Sequence, residues 1–312
     1  MIKCSLRRID SLYLNNQNSI KAGKTLKKTI NYYFQLTKPT IMLLVILTGA
    51  TALFLEGSMI SHPFRFLLVL AALYLTGGSA NALNQYFERN IDSKMSRTAK
   101  RRPLPQNQIG ATKALVFSIS IGVAGVLIFG IFFNWYSAFL SLATILFYSL
   151  IYTLLLKPNT SQNIVIGGAA GAMAPVGAWV AATGSMDIAP WVLFLIIFFW
   201  TPPHFWALAL FYKDDYKAAG LPMMPVIKGN DSTLNQILVY TWVLVIISFA
   251  VLISDQISIV YGLIAAVLGI LFLRKSYQAR RLKTESQYKG LFGYSIVYLF
   301  VLFIVIMVDG LI

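Results

Sequence analysis

Three oxygen-bearing side chains recur at intervals of four residues where the second long apolar block of the chain ends. They are Asn84, Glu88 and Asp92. On one continuous helix this spacing places all three on a single face, over about 12 Å. Amide and carboxylate oxygens without histidine or cysteine suit a hard cation such as Mg²⁺ better than zinc. If these side chains bind a metal, their chemistry therefore favours Mg²⁺ over zinc.

Basic residues cluster around this triad, the name used below for Asn84, Glu88 and Asp92. The nearby cations are Arg89, Lys94, Arg97, Lys100, Arg101 and Arg102. Protein carboxylates usually hold Mg²⁺ while substrate phosphates complete its shell, so carboxylates mixed with cations favour a diphosphate ligand. The other interpretation is a solvated helix at the membrane surface, with ion pairs one turn apart and charges that orient the chain. Spacing alone supports both interpretations equally.

A second acidic stretch, Lys213-Asp214-Asp215-Tyr216, follows the sixth apolar block. An isolated pair of aspartates is typical of a turn at a helix end. This pair gains interest because four spans separate it from the triad, so both leave the membrane on the same side. Two oxygen clusters that converge on one diphosphate can hold more than one Mg²⁺. The sequence therefore predicts that the two stretches meet.

These residues need a membrane-embedded scaffold. Of the 312 residues, 57% are hydrophobic and 12% are charged, which is about half the charged fraction of a soluble domain. The apolar residues form nine blocks, and each approaches the roughly 20 residues that cross a hydrocarbon core. The blocks are Pro39–Ile60, Phe64–Leu83, Ala111–Phe133, Trp135–Leu156, Ile164–Thr183, Ala189–Tyr212, Leu234–Ser254, Ile257–Leu273 and Leu291–Val308. The sequence predicts an all-α polytopic membrane protein with nine transmembrane helices.

The net charge of +15 follows the alternation of these spans. All of the 26 Lys and Arg residues except Arg65 fall on one side of the predicted membrane, and the other side holds Arg65 with the acidic residues Glu56, Asp187, Asp255 and Asp309. The positive-inside rule then places the amino terminus in the cytoplasm and the carboxyl terminus outside. The basic charge is therefore a topology signal whose partners are anionic lipids or an anionic substrate, and no nucleic-acid partner is expected. Compact loops favour a bacterial cell inner membrane.

The chain divides into a basic leader, 1–38, and one transmembrane domain, 39–312. The leader holds the single cysteine, Cys4, so no disulfide framework or Cys-rich zinc site is expected. It lacks the apolar core of a secretory signal, and we expect a disordered cytoplasmic tail; an organellar presequence is the other interpretation. In the fifth span, small residues crowd the stretch 167–172, which favours close helix packing over ligand contact.

The motifs resemble those of a known family. Asn84 to Asp92 is similar to the Asn-x-x-x-Asp-x-x-x-Asp signature of the UbiA-type intramembrane prenyltransferases. Three further stretches resemble the heme-farnesylating branch of that family, the heme O synthases: Tyr152-Thr153 through Met173, Trp200-Thr201-Pro202-Pro203-His204 through Ala209, and Asp214-Asp215-Tyr216 through Met223. The similarity runs from about Gln35 to the end of the chain. Two departures are Glu88 in place of aspartate, and Ala219 where other members carry a further aspartate.

The resemblance implies nine helices around a central cavity and a Mg²⁺-dependent transfer of the farnesyl group of farnesyl diphosphate to a vinyl group of heme b. It implies that the catalytic and metal-holding residues are Asn84, Glu88, Asp92 and Asp215, with Asp214 as a ligand or as a partner of Lys213. It implies contacts to diphosphate from Arg89, Arg97, Lys157 and Lys213, and contacts to heme from His204, Trp200 and Tyr152. Both substrates would enter from the lipid bilayer, and heme A synthase or terminal oxidase assembly would follow.

His204 and the aromatic residues near it have a second interpretation. A histidine inside a span is costly, and so it is a candidate for function; here it would ligate the heme iron or bind a propionate. It can equally make a hydrogen bond between helices beside Pro202-Pro203. Trp200 and Tyr152 can shield a carbocation through their π faces, although aromatic residues in spans more often serve packing or interfacial anchoring.

Two other functions fit part of the sequence. A prenyltransferase of the same fold could act on another acceptor, such as a quinone precursor, although the Trp200 to Ala209 stretch favours heme. A transporter or scaffold that binds an anionic lipid without chemistry would share the membrane spans, but it would not need the clustered oxygen ligands.

Overall fold

The computed structural model describes residues 27–254 and 256–310. Nine helices in this part of the chain are long and apolar enough to cross a membrane, so the predicted number of spans is confirmed. They are α1 Pro39–Glu56, α2 Pro63–Asp92, α3 Ala111–Phe132, α4 Trp135–Asn159, α5 Asn163–Thr183, α6 Ile188–Phe211, α7 Gly229–Ile253, α8 Ile259–Leu282 and α9 Glu285–Asp309. The predicted fold class, an all-α polytopic membrane protein, is confirmed.

The helices form a closed bundle. Consecutive spans pack against each other, and α9 packs back against α1 as well as against α6 and α8. The carboxyl ends of α2, α4 and α6 therefore lie at the same end of the bundle, which is called the basic end below. Three short helices complete this end, at Ser96–Ala99, Lys213–Ala218 and Met224–Ile227.

The second span extends beyond its apolar block. We predicted a span that ends at Leu83, and α2 continues without interruption to Asp92. The polar extension is stabilised by packing along one side, where Gln85 and the triad are buried like Ala82 before them, while Asn90 is exposed. The helix thus carries the whole triad, as the four-residue spacing requires.

The leader is ordered at its described end. Residues 1–26, with Cys4, lie outside the described residues, but residues 27–36 form a helix. Leu36 at the end of this helix is fully buried in a small cluster with Ala82, Leu104 and Ile109. This part of the predicted disordered tail is therefore packed against α2 and the segment that follows α2.

Two spans depart from regular helix near the basic end. In α4 the stretch Phe147–Leu156 is a π-helix, a form that is rare and often marks a functional site. In α5 the helix breaks between Gly171 and Ala174, just before Pro175. Both departures change which side chains face the interior.

Close approach of α5 to α4 and to α6 explains the small residues of the fifth span. A Cβ atom on Gly167 would overlap the ring of Tyr152, and one on Gly168 would lie 3.0 Å from Cγ2 of Thr201. In contrast, no atom outside its own helix lies within 4 Å of the position of a Cβ on Gly171. The predicted packing role is therefore supported at the first two glycines.

Replacing Gly167 with alanine should destabilise the protein by about 1–3 kcal/mol, because the added methyl displaces the Tyr152 ring in a packed interior. Gly171→Ala, on the same half-helix but facing open space, should leave the stability nearly unchanged. Thermal unfolding of both variants in one detergent checks the difference. Equal melting temperatures would contradict this packing.

Candidate active site

Burial decides between the two interpretations of the triad. Asn84, Glu88 and Asp92 lie at successive turns of α2, and each is only 2% exposed. A solvated surface helix would leave them in water. A buried carboxylate is costly unless it is paired, and each of these two carboxylates has a basic partner from another segment.

The partners of the carboxylates come from α4 and from the segment after α2. Lys157 Nζ donates to Glu88 Oε1 at 2.5 Å. Arg102 Nη1 donates to Asp92 Oδ2 and lies 3.7 Å from Glu88 Oε2. Lys157 was expected near diphosphate, and the structure brings it to the triad. Arg102 was only one of six nearby cations in the sequence, and no local signal distinguished it from Lys100 or Arg101.

Lys38 is a third basic residue at the triad, and in the sequence it is only one of the many cations that orient the spans. Its Nζ donates to Asn84 Oδ1 at 2.8 Å. Burial, together with the nearby Arg102 and Lys157, lowers the pKa of Lys38 well below its ordinary value, although the Glu88 carboxylate opposes this shift. An anion bound at this corner would oppose that shift and favour the charged form of Lys38.

The amide of Asn84 is held in one orientation by Thr153. Thr153 Oγ1 donates its single hydrogen to the carbonyl oxygen of Tyr148, five residues earlier, at 2.8 Å. The hydroxyl oxygen is then left to accept from Asn84 Nδ2, at 3.1 Å. Because the nitrogen of the amide is used in this way, its oxygen points to Lys38. The π-helical stretch of α4 supplies this arrangement, and the sequence contains no recognisable signal for it.

The second acidic stretch meets the segment that follows the triad. Asp215 Oδ2 accepts hydrogen bonds from Ser96 Oγ at 2.6 Å and from the backbone nitrogen of Arg97 at 3.2 Å. The guanidinium of Arg97 lies 5.7 Å from the centre of the Tyr212 ring, and its buried Nε has no hydrogen-bond partner. The two stretches thus join across the basic end of the bundle.

Three other residues from the predicted set point elsewhere. Arg89 Nη1 donates to the carbonyl of Tyr86 at 2.7 Å, so its guanidinium folds back along α2. Lys213 Nζ donates to Asn230 Oδ1 at 2.9 Å. Asp214 is exposed. None of the three contacts the triad.

The triad has the donor chemistry that Mg²⁺ requires. No group of three or more His, Cys, Asp or Glu side chains that could hold a metal occurs within residues 27–254 and 256–310. Two buried carboxylates and one amide oxygen do share a helix face, and Mg²⁺ is commonly bound by one or two carboxylates with substrate phosphates. The residues present therefore fit a metal that arrives with an anionic substrate.

His204 is packed between two helices and two rings. Its Nδ1 lies 2.7 Å from Ser295 Oγ of α9, and its ring stacks on Trp200 and Phe292 at centroid distances of 4.3 and 4.5 Å. Trp200 Nε1 donates to the carbonyl of Ser295 at 2.7 Å. The bond between His204 Nδ1 and Ser295 Oγ is the interhelical hydrogen bond that the second interpretation of His204 predicts. Its contact with heme stays a prediction.

Tyr152 lies in the π-helical stretch of α4. It is buried and stacks on Tyr148 with a centroid distance of 5.1 Å. Its ring also covers Gly167. Packing against a neighbouring span is thus shown for Tyr152, as it is for His204, whereas contact with a substrate stays a prediction.

Comparison with known proteins places this geometry in a known context. The model of the UbiA prenyltransferase family matches residues 42–304. A protoheme IX farnesyltransferase of Erythrobacter litoralis is 47% identical over 89% of this chain and 91% of its own length. A protein of the same name from a Bradyrhizobium species is 46% identical, over 92% of this chain and 93% of its own.

Solved structures show the same fold at low sequence identity. A digeranylgeranylglyceryl phosphate synthase superposes with a TM-score of 0.74 at 18% identity, and the match covers 90% of this chain and 98% of that one. A UbiA homolog from Archaeoglobus fulgidus, bound to DMAPP and Mg²⁺, gives a TM-score of 0.61 at 17% identity and covers 88% and 99% of the two chains.

Proposed function

The chain belongs to the UbiA prenyltransferase family, and from that membership we propose that it transfers the farnesyl group of farnesyl diphosphate to a vinyl group of heme b, giving heme O and diphosphate. The observation that carries this proposal is the buried triad, where two carboxylates and an amide oxygen meet Lys38, Arg102 and Lys157. The names of the 46–47% identical relatives support heme as the acceptor.

The proposed reaction needs a leaving group to be stabilised more than it needs a nucleophile. The bond between C1 of the farnesyl group and the diphosphate oxygen breaks, and the electron pair leaves with diphosphate. The electron-rich vinyl carbon of heme forms the new carbon–carbon bond. The cation that results on the heme side chain takes up water and releases a proton, which gives a hydroxyethylfarnesyl group.

The residues at the basic end are suited to the diphosphate. Lys38, Arg102 and Lys157 lie together at one buried site, where fixed charges stabilise a developing anion more strongly than they do in water. We propose that Arg97, whose Nε is unpaired, contacts the same anion, and that Asp215 fixes the Arg97 segment. Asn84, Glu88 and Asp92 would hold Mg²⁺, which neutralises charge on diphosphate when it is bound.

The hydrophobic parts of both substrates would lie between the spans, below this site. The protein is an integral membrane protein, and we propose that the basic end faces the cytoplasm of a bacterial cell, with the carboxyl terminus in the periplasm. Heme A synthase or the assembly of a terminal oxidase would use the product. We propose that the transmembrane domain begins at residue 39 and that the leader before it lies in the cytoplasm, with residues 27–36 helical where we predicted a disordered tail.

We propose that His204, with Trp200 and Tyr152, contacts heme. His204→Phe keeps an aromatic ring between Trp200 and Phe292 but removes both ring nitrogens. The variant should raise the KM for heme b several-fold and leave the KM for farnesyl diphosphate unchanged, because the diphosphate site lies elsewhere. Steady-state kinetics with each substrate varied in turn checks this split. Ser295→Ala is the control, since it keeps the imidazole and removes the hydrogen bond to Nδ1, together with the bond that Ser295 Oγ donates to the carbonyl of Phe292. Equal changes in both KM values would contradict the assignment.

A comparison of acceptors tests the proposed function. Purified protein receives farnesyl diphosphate and Mg²⁺ with either heme b or a quinone precursor, and products are identified by mass spectrometry. We expect adducts of heme alone. Farnesylation of the quinone precursor alone would show that the protein is a prenyltransferase with a different acceptor. Binding of the diphosphate without any adduct, in protein that is folded, would indicate a transporter or scaffold.

A further inference from the structure

The corner at residues 35–38 holds an unusual backbone conformation beside the candidate active site. It joins the helix 27–36 to α1. Lys38 has φ +53°, although left-handed backbone is unfavourable for a residue with a side chain and a following proline favours extended backbone instead. Pro39 follows Lys38 directly. Such a conformation persists only where the surroundings impose it, and it commonly marks a functional position.

Three side chains of α2 contact this corner: Tyr74, whose hydroxyl lies 2.9 Å from Thr37 Oγ1, and the neighbours Asn84 and Gln85. Gln85 Nε2 donates to the carbonyl oxygens of Gln35 and Leu36 at 3.1 and 3.0 Å. These carbonyls belong to the last turn of the helix 27–36, where backbone acceptors have no partner within the helix; the carbonyl of Gln35 also accepts from the backbone nitrogen of Lys38 at 3.2 Å. The preceding residue, Asn84, receives the ammonium of Lys38. Gln85 therefore binds the backbone of the corner, while Asn84 binds the side chain of Lys38.

Packing alone does not explain a glutamine at position 85. It is 2% exposed, and its Oε1 is buried without a hydrogen-bond partner. An unsatisfied buried acceptor is unfavourable, and a methionine would fill the same space without this penalty. Both hydrogens of the amide nitrogen are used on the corner. The contacts made by this nitrogen are thus the evident reason for an amide at this position.

We propose that Gln85 is a positioning residue, which fixes the corner 35–38 so that the ammonium of Lys38 is directed into the diphosphate site. This inference rests on the proposed function only for the identity of the anion. Without the two hydrogen bonds, the corner relaxes to extended backbone and the Lys38 side chain swings away from Asn84. Gln85 acts through Lys38 and does not itself contact the substrate.

The test combines Gln85→Met, Lys38→Met and the double variant. Gln85→Met should raise the KM for farnesyl diphosphate about tenfold with a smaller change in kcat, as expected for loss of a binding contact, while the KM for heme b stays the same. In the Lys38→Met background, Gln85→Met should add less than about twofold, because interacting residues are non-additive. Equal effects in both backgrounds would overturn the proposal.

A second measurement does not depend on catalysis. The protein is treated with an amine-reactive reagent, and acylation of each lysine is followed by peptide mass spectrometry. Lys38 should react several-fold faster in Gln85→Met than in the unaltered protein, while the exposed Lys28 reacts equally in both. Unchanged reactivity of Lys38 would overturn the positioning role, even if the enzyme proved to use another substrate. Faster labelling with no farnesyl transfer would instead contradict only the proposed function.

Gln85→Asn keeps the proposal testable if the methionine variant does not fold. The shorter amide keeps the polarity of the position but is one methylene too short to reach both carbonyls. It should change the KM for farnesyl diphosphate and the labelling of Lys38 in the same direction as Gln85→Met does, but by a smaller factor. Wild-type values for both quantities in a folded Gln85→Asn protein would count against the proposal.

Discussion

Replacing Asp92 with asparagine is expected to lower turnover about a thousand-fold, in the range seen when one group that stabilises transition-state charge is removed. The change keeps the size of the side chain but removes the buried charge that pairs with Arg102 and that we propose holds Mg²⁺. The amide retains only a weak oxygen ligand. Rates of heme farnesylation at saturating substrates, measured by mass spectrometry, check the prediction.

Asp231→Asn is the matched control for this variant. Asp231 also pairs with a basic residue at the basic end of the bundle, Lys283 at 2.5 Å, but the pair is exposed. Asp231→Asn should therefore retain nearly full turnover and unfold like the unaltered protein, whereas Asp92→Asn should insert normally but unfold more easily, because Arg102 keeps only Glu88 at 3.7 Å. Near-normal turnover of Asp92→Asn would exclude this carboxylate from the metal site.

Replacing Lys157 with methionine is expected to lower kcat/KM for farnesyl diphosphate about a hundred-fold and also to destabilise the fold. Lys157 is the nearest partner of Glu88, which is left buried with only Arg102 at 3.7 Å. Removing one member of a buried ion pair costs about 3–5 kcal/mol. Kinetics with varied farnesyl diphosphate and thermal unfolding in detergent measure the two effects.

A double variant separates the two effects of Lys157. Adding Glu88→Gln removes the unpaired charge, so Lys157→Met with Glu88→Gln should regain most of the stability but none of the activity. Lys289→Met is the control, because it breaks an exposed pair with Glu285, and such pairs contribute at most about 1 kcal/mol. Recovery of activity in the double variant would show that Lys157 acts only by neutralising Glu88.

The sequence predicts the triad well because its geometry is local. Once α2 is helical, the spacing of Asn84, Glu88 and Asp92 places them on one face whatever the rest of the chain does. The nine spans were predictable for a similar reason, since each is a continuous apolar stretch. Their ends were not, because α2 continues to Asp92 and its polar extension is stabilised by burial against other segments.

The partners of the triad depend on how distant segments pack. Lys38, Arg102 and Lys157 approach from the corner before α1, the segment after α2 and the end of α4, and the sequence offers many other basic residues at the same end. Of the predicted cations, Arg89 donates instead to the backbone carbonyl of Tyr86, and Lys213 donates to the side-chain oxygen of Asn230. The π-helix that brings Thr153 to Asn84 follows from packing that no local pattern shows.

The most direct test of the central claim is a stoichiometric measurement. Purified protein in lipid nanodiscs is supplied with heme b, farnesyl diphosphate and Mg²⁺, and both farnesylated heme and free diphosphate are quantified over time. We expect the two to appear in equal amounts, and a chelator of Mg²⁺ to stop both together. Release of diphosphate without farnesylated heme would contradict the claim. Unchanged heme would also contradict it, provided that the protein is folded and Lys38 is still protected from acylation.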